Sequence, residues 1–207
     1  MEKKILDKIH NSNLIENIFD FLNIKRKLQI IKFCKKYQKK LNISLKDYML
    51  FKSTIILESI ENEKFIIDKK AAKKSQLLKE CIEDDEDFKE LKFIDINSKY
   101  LKLIIEFLEH YKDSEPKLPP KPLEDSNVLQ YLDEWSQIFF SKLKLEDIFY
   151  LINASNFMTI DCLKQICCGI VASKMVDRPV EEVQKLFGIE CGMTEEEMKE
   201  YDSYPID

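Results

Sequence analysis

Residues 54–70 read TIILESIENEKFIIDKK, and this stretch decides the fold class. Two short runs of β-branched and apolar residues, 54–57 and 65–67, flank the polar residues 61–63, as the strands of a β-hairpin do. A third apolar run at residues 93–96 predicts one more short strand. Most of the chain beyond these runs has helical spacing. Three strands accompanied by many helices predict an α+β fold.

Helices are predicted on both sides of a break in the chain. Residues 75–82 have helical spacing, and Ser98 is a candidate N-cap for a helix with apolar residues at 101, 104, 105 and 108. Residues 113–127 contain four prolines and predict a loop. Beyond it, further helices are predicted around Trp135, at 148–154 and at 161–175. Another begins near Pro179 and ends before Gly188, and a capping box of Thr194 and Glu197 predicts a short last helix.

The N-terminal quarter of the chain differs from the rest in charge. Residues 1–53 hold 13 Lys and Arg against 5 Asp and Glu, a net charge of +8. The remainder holds 20 against 33, a net charge of −13. One amphipathic helix is predicted at residues 14–22 and a second at 25–41, whose outer face is rich in lysine. This asymmetry favours either nucleic-acid binding or attraction between the two parts, and a solvated or docked lysine face is the simpler interpretation because no base-reading motif accompanies it.

Composition argues against several classes of function. The three glycines are dispersed and late, so no phosphate-binding loop is predicted, and no hydrolase or kinase signature is present. The six cysteines form no CxxC pair, which favours reduced thiols and no metal or other cofactor. No apolar run approaches the roughly 20 residues of a membrane span. We expect a non-catalytic chain in the cytoplasm and nucleus, with neither nucleic acid nor membrane as a partner.

Five ordered segments of the chain resemble the Skp family, the S-phase kinase-associated adaptors of SCF ubiquitin ligases. They include D95INSKYLKLIIEFLEHYKD and I148FYLINASNFMTI. The other three are residues 54–84, 135–140 and 180–197. The order of the segments, the Pro-rich break and the spacing agree over roughly 70% of the chain. The resemblance implies a POZ/BTB-like α/β core with a C-terminal helical extension.

The resemblance also implies partners and the residues that bind them. Members of this family bind a cullin through the core, and Asn156 and Phe157 match cullin-facing positions, although tyrosine is usual where Phe157 stands. They bind F-box proteins through the C-terminal helices. The matching apolar positions are Leu163, Ile166, Val171, Met175, Val183, Phe187 and Ile189.

The N-terminal segment L14IENIFDFLNIKRKLQIIKFCKKYQKKL resembles an F-box. The positions in register are Leu14, Ile18, Phe19, Phe21, Leu22, Leu28, Cys34 and Leu41. It lacks the usual Leu-Pro opening and has Tyr37 where tryptophan is common. The chain thus resembles an F-box-like module fused to its own receptor.

These resemblances divide the chain as follows: residues 1–42, F-box-like helical module; 43–53, linker; 54–112, first part of the POZ-like core; 113–127, Pro-rich loop; 128–160, remaining core helices; 161–207, F-box-binding helices. An extended linker of this length spans at most ~40 Å.

The predicted function is that of an SCF adaptor bridging cullin to F-box proteins, which bind in trans, or to the chain's own N-terminal module in cis. The alternative is a structural POZ-type assembly subunit, like elongin C or a kinetochore subunit, without a ligase role.

Overall fold

A computed structural model gives the structure of the chain. It describes residues 12–22, 24–32, 34–85, 88–190, 192, 194 and 199. The chain divides into two compact units, residues 1–114 and residues 115–207. The described parts contain both a small sheet and many helices, so the predicted α+β class is confirmed.

The described part of the first unit opens with four helices: α1 (Ser12–Asp20), α2 (Ile24–Ile31), α3 (Lys35–Lys40) and α4 (Leu45–Ser53). The first three form a module with a core of its own. Ile15, Phe19 and Ile31 are buried at its centre. The partly buried residues packed against this centre are Leu22, Tyr37, Leu41 and Ile43. Apolar residues at helical spacing on α1 therefore bury one side of that helix inside the module.

The prediction of a single helix at residues 25–41 is wrong, because this segment forms two helices. α2 ends at Ile31 and α3 begins at Lys35. The Gln38 side chain explains how the break is tolerated. Its Nε2 donates to the Ile31 carbonyl at 3.0 Å and to the Lys32 carbonyl at 2.9 Å. It thereby satisfies backbone acceptors that the end of α2 leaves open. The apolar spacing continued across the break, so periodicity alone predicted one helix.

The predicted linker at residues 43–53 contains helix α4 rather than an extended chain. Ser44 begins the helix with a capping box, in which its hydroxyl accepts from the Asp47 backbone N–H and the Asp47 carboxylate accepts from the Ser44 backbone N–H. The Ser44 hydroxyl also donates to the Asp47 carboxylate, and this hydrogen bond, together with the one from the Ser44 backbone N–H, lowers the pKa of Asp47. The S-x-x-D pattern was present in the sequence and would have predicted this helix start.

The sheet of the first unit has three strands: β1 (Thr54–Glu58), β2 (Lys64–Asp68) and β3 (Glu90–Lys92), in the order β2-β1-β3. β1 and β2 form the predicted antiparallel hairpin, with Ile56 opposite Ile66. β1 and β3 are parallel, with Leu57 opposite Leu91. Ile55 and Leu57 are buried, so β1 packs one face on the core.

The third strand was predicted at residues 93–96 and lies instead at Glu90–Lys92. Phe93 and Ile96 are buried, as their apolar character requires. Their backbones do not continue the ladder, although the Phe93 N–H still donates to the Glu58 carbonyl at 2.8 Å. Apolar character correctly predicted that Phe93 and Ile96 are buried. The residues that pair as a strand are instead a charged segment at the edge of the sheet, and its sequence has no apolar pattern that would predict a strand.

The helices that follow in the first unit are α5 (Lys69–Ala72), α6 (Gln76–Asp84) and α7 (Ser98–His110). α6 matches the helix predicted at 75–82, with Ser75 as its N-cap. The N-cap of α7 is Asn97 rather than Ser98, because the Asn97 side chain accepts from the Tyr100 N–H at 3.2 Å. The Ser98 hydroxyl instead lies 2.8 Å from the Ser59 hydroxyl and ties α7 to the hairpin loop.

The described part of the second unit is helical after the Pro-rich loop. It contains a 3₁₀ turn (Val128–Tyr131) and helices α8 (Glu134–Ser141), α9 (Leu145–Phe157), α10 (Asp161–Ala172) and α11 (Val180–Phe187). α10 ends three residues before its predicted end at 175. A Cβ at Gly169 of α10 would lie 2.7 Å from Cγ of Pro119. Gly169 therefore lets the Pro-rich loop pack directly on this helix.

Candidate functional site

The two residues predicted to face a cullin lie at the C-terminal end of α9. Asn156 is exposed, and the Phe157 ring is 56% exposed. An aromatic ring this exposed adds little to the core and offers apolar surface to a partner. The neighbours of the pair on the chain are anchored, because Ser155 and Met158 are both buried.

The backbone that follows α9 closes in a Schellman motif. The Ile160 N–H donates to the Ser155 carbonyl at 2.8 Å, and the Thr159 N–H donates to the Asn156 carbonyl at 3.2 Å. Thr159 occupies the left-handed position of this motif with φ 52°. Glycine or asparagine is preferred there, and a β-branched residue in this conformation is strained. The turn fixes where the backbone of Asn156 and Phe157 lies, and no sequence pattern predicted this turn.

The residues predicted to bind an F-box divide into two groups in the structure. Leu163 and Ile166 on α10 are fully buried. α10 packs mainly on α9, so these two side chains have no surface to offer a partner directly. The members with accessible surface are Val171, Met175, Val183, Phe187 and Ile189.

Helix α11 carries two of these members, Val183 and Phe187. It is amphipathic, yet no residue of this fully described helix is buried. The Phe187 ring meets the Phe149 ring of α9 edge to face, with centroids 6.4 Å apart. Gly188 ends the helix in the left-handed conformation (φ 64°), and Ile189 follows it with 53% exposure. An amphipathic helix with its apolar face uncovered is typical of a binding surface.

Some exposed apolar residues on and near α11 were not among the predicted ones. Val180 and Leu186 are exposed on the same helix, and Phe149 is exposed on α9. Val180 and Leu186 could have been predicted from helical spacing, because each lies three residues from the predicted position Val183. Phe149 could not, since it comes from a different helix. We call Val180, Leu186 and Ile189 the α11 surface below.

The F-box-like residues of the N-terminal module also divide by burial. Phe19 and Leu28 are buried, and Leu22, Cys34 and Leu41 are half-buried, so these five help to build the module. The remaining three, Leu14, Ile18 and Phe21, are exposed. Phe21 is 92% exposed. We call these three residues the α1 stripe.

Lys89 fastens the connecting helix α4 to the core of the first unit. Its ammonium group donates to the Phe51 carbonyl near the C-terminus of α4 and lies 4.2 Å from the centroid of the Phe51 ring. A cation is favoured at this end of a helix, and the aromatic face adds a second attraction. The Thr54 hydroxyl donates to the Leu50 carbonyl at 2.7 Å. α4 therefore passes into β1 without a flexible residue between them.

The described residues contain neither a metal-binding group nor a helix that could cross a membrane. No group of three or more His, Cys, Asp and Glu residues there could hold a metal ion. Cys167 is fully buried, and burial raises the pKa of its thiol, so the thiol stays protonated. Across the described part of the chain, no helix has the length and apolar character that a membrane crossing requires.

Comparison with known proteins identifies the family. The family model described as Skp1 family, tetramerisation domain, matches residues 53–113, and the one described as Skp1 family, dimerisation domain, matches residues 161–202. The S-phase kinase-associated protein 1 homolog of Tetrahymena thermophila is 33% identical over 68% of this chain and 85% of its own length. The chain belongs to the Skp1 family.

Two further relatives agree with this assignment. SKP1-like protein 15 of Arabidopsis thaliana is 31% identical over 70% of this chain and 85% of its own length. The E3 ubiquitin ligase complex SCF subunit sconC of Arthroderma benhamiae is 31% identical over 69% of this chain and 87% of its own length. In this Skp1-family chain the first matched segment begins at residue 53, directly before β1, and the F-box-like character of the preceding module stays a prediction.

Proposed function

We propose that this chain is a non-catalytic adaptor of an SCF-type ubiquitin ligase. The observation that carries the proposal is its membership of the Skp1 family, with a relative named as an SCF subunit aligned over 87% of that relative's length. The adaptor joins a cullin to F-box proteins, and the chain's own N-terminal module is a second candidate occupant of the F-box-binding helices. A location in both cytoplasm and nucleus belongs to the proposal, and imaging of the tagged chain tests it.

The cullin-binding surface centres on the end of α9. Asn156 offers an amide for hydrogen bonding, and Phe157 offers an exposed ring that a partner can bury. Because Phe157 is 56% exposed, burying the rest of this side chain stabilises a complex by about 1–1.5 kcal/mol. The hydrogen-bonded turn at Thr159 fixes the backbone of the pair, so little backbone entropy is lost on binding.

The test of cullin binding uses the full chain and two variants of the same helix. Phe157→Ala removes the exposed ring, and Tyr150→Ala removes a ring of similar exposure (49%) elsewhere on α9. We expect Phe157→Ala to weaken capture by a purified cullin about tenfold or more, and Tyr150→Ala to leave it near the wild-type level. Equal loss in both variants would contradict the assignment of this surface.

The test of F-box binding compares two isoleucines of nearly equal exposure. Ile189→Asp places a charge on the α11 surface, and Ile138→Asp places one on α8, where the native side chain is 51% exposed. Only the first should abolish capture of an F-box peptide, because a buried unpaired carboxylate is strongly unfavourable. Capture of the F-box peptide by a wild-type chain that does not bind cullin would favour the structural assembly subunit instead.

A further inference from the structure

A cavity of about 350 Å³ lies in the second unit, between the 3₁₀ turn, the junction of α8 and α9, and the end of α10. Voids larger than a water molecule are few in folded proteins, and small-molecule sites have volumes of about 300–1,000 Å³. Seven of the twelve residues that line the cavity are apolar, so it resembles a ligand pocket more than a polar surface cleft.

Buried apolar side chains form the floor of the cavity, which comprises Val128, Phe140, Ile148 and Ile170. Ser173 lies buried beside them, and its hydroxyl donates to the Ile170 carbonyl at 2.8 Å. Because its own helix already satisfies this hydroxyl, a ligand that enters the cavity meets mainly apolar walls. Such a floor favours an apolar group, since each methylene that binds there is removed from water.

The rim of the cavity, which comprises Asn127, Ser141 and Lys174, is exposed and polar. Lys174 forms no ion pair with an acid among the described residues. Asn127 occupies the N-cap position of the 3₁₀ turn, yet its side chain makes no capping hydrogen bond there. The Ser141 hydroxyl donates to the Ile138 carbonyl at 3.0 Å, so its proton is already used. The donors left for a ligand are the Lys174 ammonium group and the Asn127 amide.

An anionic head group fits this rim. The acid that precedes it in the chain, Asp125, does not line the cavity, and its carboxylate accepts from the Tyr131 hydroxyl, the Gln130 amide and the Asn127 backbone N–H. A carboxylate at Lys174 would form a charge-assisted hydrogen bond. At about 30 Å³ for each water-sized group, the cavity holds roughly a dozen non-hydrogen atoms. Decanoate has this size and carries its charge at one end.

We propose that the cavity binds a small apolar carboxylic acid of the size of a medium-chain fatty acid. Its chain lies against the floor and its carboxylate binds Lys174 at the rim. A ligand there joins the 3₁₀ turn to α9 and α10, and it stabilises the folded second unit by mass action. The cavity is lined by none of the residues assigned to cullin or F-box binding, so this inference does not depend on the adaptor function.

The test titrates the full chain, with isotope-labelled methyl groups, against three ligands of one chain length: decanoate, decanol and decylamine. We expect decanoate to shift the NMR signals of the Val128, Ile148 and Ile170 methyl groups with a Kd of about 1 mM or lower. Decylamine should bind at least about tenfold more weakly, because its ammonium group meets Lys174, and decanol should lie between the two. Ile189 is exposed outside the cavity, and its methyl signal reports nonspecific adsorption.

A pair of matched variants tests the head-group contact. Lys174→Gln keeps a long polar side chain but removes the charge, and the side chain is exposed, so the fold is retained. It should weaken decanoate binding about fivefold and leave decanol binding unchanged, as expected for loss of an exposed ion pair. Lys117→Gln, at an exposed lysine of the Pro-rich loop outside the cavity, makes the same change in net charge and should bind decanoate like wild type.

Several results would overturn the proposal. If decanoate at several times the expected Kd leaves the floor methyl signals unchanged, or shifts the Ile189 signal equally, the cavity is not a binding site. Equal affinity for decanoate and decylamine would show that the rim does not select an anion. Equal effects of Lys174→Gln and Lys117→Gln on decanoate binding would show that Lys174 does not contact the carboxylate.

Discussion

Replacing Thr159 by glycine should stabilise the protein. Thr159 has φ 52°, a left-handed conformation that costs a residue with a Cβ about 1–2 kcal/mol. Glycine adopts it freely, but its greater freedom in the unfolded chain costs about 0.4–1 kcal/mol. The Thr159 side chain is exposed, so no buried surface is lost. The balance is a gain of about 1 kcal/mol in the free energy of unfolding.

Thermal and urea unfolding of the full chain measure this gain. For a protein of this size, about 1 kcal/mol raises Tm by about 2–4 °C. Thr159→Ala is the control, because alanine keeps the Cβ and with it the cost of the left-handed conformation. We expect Thr159→Ala to lie within about 0.5 kcal/mol of wild type. If glycine and alanine change Tm equally, or if glycine lowers it, the argument from backbone conformation is refuted.

Three further changes test other parts of the structure. Lys89→Ala removes a cation–π contact and a hydrogen bond, and should destabilise the chain by about 1–2 kcal/mol. It should also speed amide hydrogen exchange in α4, measured by mass spectrometry. Lys89→Arg should have a smaller effect on that exchange. Gly169→Ala places a methyl group 2.7 Å from Pro119. The steric overlap costs about 1–3 kcal/mol, which outweighs the helix-propensity gain of about 1 kcal/mol, so Tm should fall. A rise in Tm would show that the Pro-rich loop moves to accommodate the methyl group. Hydrogen bonding, chiefly from Tyr131, lowers the pKa of Asp125 below its usual value of 3.8. The ionised carboxylate therefore stabilises the folded chain fully above pH 3.8, and this stabilisation is lost as pH falls through the folded-state pKa. The Tm difference between wild type and Asp125→Asn should therefore shrink in acid, and a constant difference would contradict the assignment.

Neither the turn at Thr159 nor the contact made by Lys89 could be predicted from the sequence. A left-handed threonine leaves no compositional trace, because threonine is ordinary in turns and strands alike. Lys89 lies 38 residues beyond Phe51, and only folding brings its ammonium group to the end of α4. The sequence predicted Asn156 and Phe157 as surface candidates through family resemblance. It could not predict the geometry that holds them.

The amino-acid sequence by itself determined the β-hairpin, most of the helices and the family. Each of these depends on local spacing of apolar residues or on ordered motifs, which survive in one dimension. Only the tertiary structure decided where α2 stops, where β3 pairs and which apolar residues stay exposed. Gln38 completes the broken end of α2 from the next helix, and β3 is charged yet pairs with β1. Phe19 and Phe21 belong to the same apolar pattern, yet Phe19 is buried in the core and Phe21 is exposed to solvent. The difference arises because packing depends on neighbours that are distant along the chain.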